Sequence, residues 1–383
     1  MSKVKIFNSS ILKRKLPFNY DANNSLFNFF NEQLEEDVPE IWQHTFSEVF
    51  IDSNSVVYNK HGAIIFEIFD FCLDVKYKKL QKAEVLNFAA LKHPKRFLQI
   101  LKKKILRFLK PISIVNTDPG KRYLLITDDR VNNNFYHWIN EALLRLVALG
   151  GLPENSILLL PEECWKYEYV RNSLKVFEIN EKQIYLISAK ERIYVQHLEF
   201  ITCSMHAPGA CNYLLMLRLR DKIIDFYKDQ LTLDFGDKIY ISRERSKHRK
   251  VMNEVEVLEL IEPIGFKKIC AEDYTLIELI SIMLRTRYCI AMVSAGLTHM
   301  MFMKEGGFVL ELIHEDFICP TDRIWPGGYT EKYAGVHYFS MANALGINYL
   351  YQPSKRLHNS EYIPADDILV DIAQLKKNID LMH

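Results

Sequence analysis

The stretch that decides the fold runs from residue 237 to residue 311 and opens with the apolar run KIYIS at residues 238–242. A helical pattern, NEVEVLEL, occupies residues 253–260, and two further apolar runs follow, YCIAMV at 288–293 and GFVL at 307–310. Short buried strands that alternate with helices predict a parallel sheet with right-handed crossovers. Ligands of such sheets bind outside the carboxyl ends of the strands, so we expect functional residues there.

Residues at these carboxyl ends have the chemistry of a nucleotide-diphosphate pocket. Arg243 and Arg249 follow the first strand, and their planar forks of donors suit phosphate oxygens. The small-residue turn at 294–296 precedes a helical run, which places backbone N–H groups at the positive end of a helix dipole. Glu311, predicted at the end of the third strand, could accept hydrogen bonds from a ribose. Each feature alone is as typical of a solvated basic loop or an ordinary turn, but their order on successive strand ends favours the pocket.

The helix at residues 253–260 is predicted to be amphipathic. Its apolar residues at helical spacing indicate that Val255, Leu258 and Ile261 face the core.

In order, these motifs resemble the carboxyl-terminal half of glycosyltransferase family 61, of the capsular polysaccharide biosynthesis type. The resemblance covers roughly residues 121–351 and includes an upstream segment around residues 134–146. One departure stands out, because the family usually has His-Gly where this chain has Val293 and Ser294. The role of the missing histidine is then dispensable, supplied by His299, or lost. The matching residues are YISR at 240–243, Arg249, Asn253, Glu254, AGLT at 295–298, FM at 302–303, VLEL at 309–312, NFYHW at 134–138, Glu141 and LRL at 144–146.

The resemblance implies an α/β fold of the GT-B-like kind, with two Rossmann-like lobes that face each other across a cleft. It implies an acceptor-side lobe at residues 1–233, a nucleotide-sugar donor lobe at 234–352, and a last helix within 353–383 that returns to the first lobe. The donor would be a nucleotide-sugar, the acceptor an oligosaccharide or lipid-linked glycan, and no further cofactor would be needed. The residues assigned to donor nucleotide and diphosphate binding are Arg243, Arg249, Asn253, Ser294, Ala295, Gly296, Leu297, Thr298 and Glu311.

A histidine and a glutamate upstream are the candidate catalytic residues. Asn134 is predicted to cap a helix over residues 135–148, which places His137 in the first turn and Glu141 one turn later on the same face. The amino end of a helix disfavours the cationic form of a histidine and leaves a neutral imidazole that can take a proton. We expect His137 to be the general base, with Glu141 orienting it or acting instead. The alternative is that His137 only caps the helix or packs beside Trp138.

Composition narrows the class of protein. The 383 residues suffice for two domains, and 49 Lys plus Arg against 48 Asp plus Glu give no global argument for nucleic-acid binding. Seven dispersed cysteines without CxxC pairs are typical of reduced thiols in a cytoplasmic protein. Residues 1–16 lack the apolar core of a signal peptide, and no run reaches the length of a membrane span. The surplus of Asn, Lys, Ile, Phe and Tyr indicates an AT-rich bacterial source.

Residues 91–110 form a basic amphipathic pattern that contains lysines and arginines but no acidic residue. The helix could rest on anionic lipid at the inner face of the cell membrane, where a lipid-linked acceptor would be presented. The alternative, which we favour, is a surface helix whose apolar stripe packs on its own domain.

Motif searches leave two function classes. The chain has no Asp-x-Asp, the signature with which metal-dependent glycosyltransferases hold a cation, and no zinc spacing, so we expect transfer without a metal. The first class is an inverting glycosyltransferase that uses a nucleotide-sugar donor, as the resemblance implies. A related but inactive binding or assembly protein remains the alternative because of Val293 and Ser294. A dehydrogenase is disfavoured, since no GxGxxG follows any strand.

Overall fold

The protein is described by a computed structural model that covers residues 2–38, 40–62, 65, 112–128, 131, 134–202, 212–315, 337–357 and 366–382. Two large sheets and one two-stranded sheet lie within these residues. The predicted basic helix at 91–110 falls outside them. Among the described helices, none is long and apolar enough to cross a bilayer.

The first large sheet has a parallel core to which antiparallel strands are added at one side. Its path is β1-β4-β10-β7-β8-β9, where β10, β7, β8 and β9 run parallel and β4 pairs antiparallel with both β1 and β10. This half is therefore α/β as predicted, with a mixed rather than purely parallel sheet. Its strands and those of the small sheet are β1 (Ser2–Phe7), β2 (Ser10–Lys13), β3 (Glu35–Val38), β4 (Ile41–Asp52), β5 (Val57–Tyr58), β6 (Ser113–Asn116), β7 (Arg122–Leu125), β8 (Ser156–Pro161), β9 (Ile184–Ile187) and β10 (Glu191–Ile201).

The second large sheet is parallel except for its last pair, β15 with β16. The strand order is β12-β11-β13-β14-β15-β16. From β11 the chain first adds β12 on one side and then adds β13 to β16 on the other side. The point where the direction reverses lies between β11 and β13, and open α/β sheets bind their ligands at this point. The strands are β11 (Lys238–Ser242), β12 (Lys267–Cys270), β13 (Tyr288–Met292), β14 (Phe308–His314), β15 (Asn348–Arg356) and β16 (Ile368–Leu369).

Helices connect these strands and cover the sheets. The predicted alternation of strand and helix in the second half is confirmed, since α5 joins β11 to β12 and α6 joins β12 to β13. A 3-10 segment, Ala295–Phe302, joins β13 to β14. The helices are α1 (residues 135–149, π-helical over Trp138–Leu143), α2 (Glu162–Trp165), α3 (Glu168–Lys175), α4 (Tyr213–Tyr227), α5 (Glu254–Ile261), α6 (Leu276–Arg285), α7 (His337–Ala344) and α8 (Ile372–Asp380).

A single apolar cluster joins the two large sheets. It includes Leu124 and Leu158 of the first sheet and Ile290 and Leu310 of the second, all fully buried. The two halves are thus packed on each other through a shared core, and burial of this apolar surface is the main force that holds them together.

Residues 10–38, which carry the paired strands β2 and β3 and are called the amino-terminal hairpin below, pack on the second sheet, although the preceding strand β1 belongs to the first. The backbone N–H of Phe18 donates to Tyr349 O at 2.6 Å, and the Asn19 amide pairs with the backbone of Tyr351. Arg14 forms a 3.0 Å ion pair with Glu36, in which both side chains are at least nine-tenths buried. The sequence assigned all of residues 1–233 to the first lobe, whereas this segment contacts the second sheet, because its aromatic residues pack on β15 and α7.

The last helix also lies elsewhere than expected. We predicted that it returns to the first lobe, but α8 packs against α5 and β15 of the second sheet. The Asn378 amide donates to Gln352 Oε1 at 2.9 Å, and Gln352 donates to Asp371 O at 3.0 Å. These buried polar contacts tie α8 to β15.

Candidate functional site

Three helical segments begin close together beside the second sheet. The ring of Phe135, at the start of α1, stacks on His299 of segment 295–302 with centroids 4.3 Å apart. Tyr136 packs edge-to-face on Tyr338 of α7 at 5.9 Å. The start of α1 is therefore held against the turn after β13 and against the first turn of α7. Unpaired N–H groups of helix amino ends favour bound anions.

The loop after β11 is organised by the Arg243 side chain. Its Nε donates to Arg249 O at 2.8 Å, and its Nη2 donates to Ser246 Oγ at 2.7 Å and to His248 O at 3.0 Å. Burial, and then the neighbouring charge of Arg249, lowers the pKa of Arg243 to about 10. Two guanidinium groups are thus held together in a partly desolvated place, and an anion bound between them would relieve their repulsion.

Arg249 closes this loop with a strained backbone. Its φ of 59° lies in the left-handed region that favours glycine. Its Nη1 lies 3.5 Å from Val293 O at the end of β13, so the side chain spans the point between β11 and β13. Strain of this kind persists where the surroundings enforce it and is typical of binding loops.

The turn after β13 is held by a hydrogen bond from the Tyr338 side chain of α7. Its hydroxyl donates a short hydrogen bond to Ser294 O and lies 3.3 Å from Thr298 Oγ1. Both arginine charges act on the Tyr338 hydroxyl, which places them near this turn. The structure therefore brings together Arg243, Arg249, Ser294 and Thr298 as the sequence predicted.

Gly296 lies half-buried on the outer side of this turn. A Cβ built there would meet Ile241 Cγ2 and Ser294 Oγ at 3.5 Å, which is ordinary contact. Packing within the protein therefore does not require a glycine here. Ala295 is also half-buried, whereas Leu297 is fully buried in the core and is not placed to touch a ligand.

His299 is the nearest histidine to the place where the family usually has His-Gly. Burial lowers its pKa to about 4, so the ring is neutral. Its Nδ1 lies 2.8 Å from Gly296 O; because a carbonyl only accepts, Nδ1 carries the proton and donates. His299 therefore holds the turn in place.

The predicted His137–Glu141 pair is formed. Asn134 caps α1 as expected, since its Oδ1 accepts from the backbone N–H groups of Tyr136 at 3.0 Å and His137 at 3.4 Å. Glu141 Oε1 lies 2.5 Å from His137 Nδ1; its side chain is fully buried, whereas that of His137 is 25% exposed. The carboxylate accepts from Nδ1–H and thereby leaves Nε2 as the ring nitrogen with a lone pair. The π-helical segment of α1 contains Glu141, and such segments are frequent at functional sites.

Glu311 is placed differently from the prediction. We expected it at the carboxyl end of its strand, but β14 continues to His314 and leaves Glu311 in mid-strand and fully buried. Its Oε2 accepts from Tyr349 Oη at 2.5 Å, and burial raises its pKa to about 8. A protonated carboxyl beneath the turn is not exposed to a ribose.

Asn253 is not brought to this site. Its amide donates to Val370 O and accepts from Val370 N, each at 2.9 Å. Both of these hydrogen bonds join the start of α5 to the segment after β16, so the structure assigns this side chain to the packing of the carboxyl-terminal region.

Two residues of this site were not predicted from the sequence, His337 and Tyr338. The His337 ring lies 5.4 Å from the Tyr136 ring, and the charge of His137 acts on it. A local signal exists in retrospect, since both α1 and α7 begin with adjacent tyrosine and histidine residues.

Cation ligands were not expected, and the part of the chain that the structure describes contains no cluster of three or more His, Cys, Asp or Glu residues that could hold a metal ion. Independence from metal remains a prediction.

Comparison with known families identifies this region. Residues 135–310 match the family model described as Glycosyltransferase 61. The family implies glycosyltransferase activity in general, and with it a sugar donor and a glycan acceptor. A comparison with curated proteins found no match.

Proposed function

We propose, because the chain belongs to glycosyltransferase family 61 over residues 135–310, that it is an inverting, metal-independent glycosyltransferase. It moves a hexosyl or pentosyl group from a nucleotide-sugar to an oligosaccharide or lipid-linked glycan, in the synthesis of a bacterial capsule or O-antigen. The two sheets act as GT-B-like lobes, with the donor on the second. The reaction takes place in the cytoplasm.

The observation that carries this proposal is the His137–Glu141 hydrogen bond in α1, whose first residue packs on the segment that follows β13 of the second sheet. Glu141 fixes the tautomer, so His137 Nε2 can take the proton of the acceptor hydroxyl. The acceptor oxygen then attacks the anomeric carbon while the bond from that carbon to the nucleotide diphosphate breaks on the opposite face. This displacement inverts the configuration.

The leaving diphosphate is stabilised without a metal in this proposal. Arg243 and Arg249 supply positive charge, and the turn at 294–296 supplies backbone N–H groups. The fold would tolerate a Cβ at Gly296, so the proposal attributes the glycine there to close approach of the diphosphate to the backbone.

Thermal unfolding with a panel of nucleoside diphosphates, with and without EDTA, tests the donor site. A ligand at a hundredfold its Kd should stabilise the protein by about 2.7 kcal/mol. Arg243→Ala should abolish the shift. Because Arg243 also holds its loop, Ser246→Ala is the matched control, as it removes loop hydrogen bonds but no charge. A shift that EDTA abolishes and manganese restores would refute metal independence, and a shift that survives in Arg243→Ala would refute the site.

The second candidate function is that of an inactive homologue that binds glycans or assists assembly. The observation that favours it is Val293 and Ser294 in place of His-Gly, together with a His299 whose Nδ1 is engaged by the turn. Nucleotide binding without turnover of any donor would support this reading.

A further inference from the structure

His337, the first residue of α7, has a ring nitrogen for which the described residues offer no hydrogen-bond partner. Its Nδ1 is buried and has no partner among the described residues. Buried polar groups are almost always paired, so an unpaired one in a native structure requires an explanation. The side chain of the adjacent Tyr338, by contrast, donates to Ser294 O.

The surroundings of His337 are those of the candidate site. Its ring lies 5.4 Å from the Tyr136 ring, and the His137 ring lies at the same distance from Tyr136. The two imidazoles therefore flank one tyrosine and are close enough for a single glycan to reach both. Burial, and then the charge of His137, lowers the pKa of His337 to about 4, which keeps it neutral with one donor and one acceptor nitrogen.

A neutral imidazole with unused hydrogen-bonding capacity matches a hydroxyl group, which also donates one hydrogen bond and accepts others. A phosphate would be a poorer ligand, because it only accepts and favours charged donors. Sugars are dense in hydroxyl groups, and the site already contains a base for one of them.

We propose that His337 is an acceptor-binding residue, whose imidazole hydrogen-bonds a hydroxyl of the acceptor glycan beside the hydroxyl that His137 deprotonates. This inference rests on the proposed function for the identity of the reaction. It adds a specificity contact from α7, which precedes β15 of the second sheet, to a reaction whose base lies on α1.

The test uses the full chain, the nucleotide-sugar that it turns over, and p-nitrophenyl glycosides of glucose, galactose and N-acetylglucosamine as acceptor probes. His337→Phe keeps the ring packing against Tyr136 but removes both nitrogens. We expect the KM for the glycoside to rise on the order of five- to tenfold, as for the loss of one neutral hydrogen bond, with nucleoside-diphosphate affinity unchanged. His337→Asn should restore part of the loss. His197→Phe, at an exposed histidine of β10, is the control and should change nothing.

A KM within twofold of wild type in His337→Phe would overturn the inference. Should that variant fail to fold, long-range proton–nitrogen NMR of the wild-type histidine rings decides, with His337→Asn used for assignment. A shift of the His337 nitrogens on addition of a glycoside is expected, and its absence would refute the contact. Failure of the wild type to turn over any donor would refute the proposed function instead, and the NMR titration would still decide whether His337 contacts a sugar.

Discussion

Replacing Glu311 with glutamine should remove a pH dependence from the stability of the protein. Glu311 is fully buried on β14, and its pKa is raised to about 8. In the unfolded chain its pKa is near 4.5. Between these values the folded state holds a proton that the unfolded state has lost, so the free energy of unfolding falls as the pH rises.

The sign and the magnitude follow from this shift. The stabilisation by the protonated form is fully present below about pH 4.5 and is lost as the pH rises through about 8. Each pH unit in this window corresponds to about 1.4 kcal/mol, so the wild type should lose about 3 kcal/mol between pH 5 and pH 8 from this group. For a chain of 383 residues that is a decrease in Tm of roughly 4 °C.

Thermal unfolding of wild type and Glu311→Gln at several pH values between 5 and 8.5 measures the effect. Glutamine is isosteric and still accepts from Tyr349 Oη, so the variant should match the wild type near pH 5 and exceed it by about 3 kcal/mol at pH 8. Glu259→Gln, at an exposed position of α5, is the control and should follow the wild type. Parallel curves for wild type and Glu311→Gln would refute the buried, protonated state, and loss of nucleotide affinity in the variant would revive a role in ribose binding.

Three further predictions concern ligand binding and packing. Gly296→Ala should leave the Tm within about 1 °C of wild type, because the added Cβ would lie 3.5 Å from Ile241 Cγ2 and Ser294 Oγ. Calorimetry should show nucleoside-diphosphate binding weakened at least about tenfold. Equal affinity would show that no ligand approaches this backbone. Asn253→Ala loses two hydrogen bonds to Val370, so urea unfolding should show a free energy of unfolding about 1–3 kcal/mol lower, with nucleotide affinity unchanged. Unchanged stability with weaker nucleotide binding would contradict its structural role. Arg14→Met breaks a buried ion pair and should lower the free energy of unfolding by about 3 kcal/mol. Lys5→Met breaks an exposed ion pair and should lower it by less than about 1 kcal/mol. Similar losses in the two variants would contradict the burial of the amino-terminal hairpin.

Local sequence patterns predicted the elements that depend on local physics. The apolar runs at 238–242 and 288–293 form adjacent parallel strands, and Asn134 caps α1 through its side chain. The i, i+4 spacing of His137 and Glu141 is sufficient to place them on one helix face, and they form the predicted pair. These features require only strand alternation, cap chemistry and helix periodicity.

Other features depend on tertiary packing and were placed wrongly. We predicted that Val255, Leu258 and Ile261 face the core. Ile261 is fully buried and Leu258 packs on the core, but Val255 is 69% exposed and Val257 is fully buried instead. Val255 and Val257 lie on different faces of this short helix, so the sequence allows either face to be buried. The position of the neighbouring sheet determines which face is buried. Glu311 was misplaced because the apolar run continues beyond it, so β14 extends past the expected end.

Long-range contacts left no signal in the sequence. The amino-terminal hairpin reaches β15 through pairs such as Phe18 with Tyr349, more than three hundred residues apart. His337 is a candidate because its ring lies beside Tyr136 and its Nδ1 has no hydrogen-bond partner among the described residues. Unpaired polar groups are a property of packing, which no periodicity encodes.

Proton NMR of nucleotide-sugar turnover by wild type and His137→Phe tests the central claim most directly, since it reports both the rate and the anomeric configuration of the product. The account predicts a product of inverted configuration from the wild type, unaffected by EDTA, and a rate about 10²- to 10⁴-fold lower in the variant with nucleotide affinity retained. A retained configuration, or a variant as fast as the wild type, would contradict the assignment of His137 as the base.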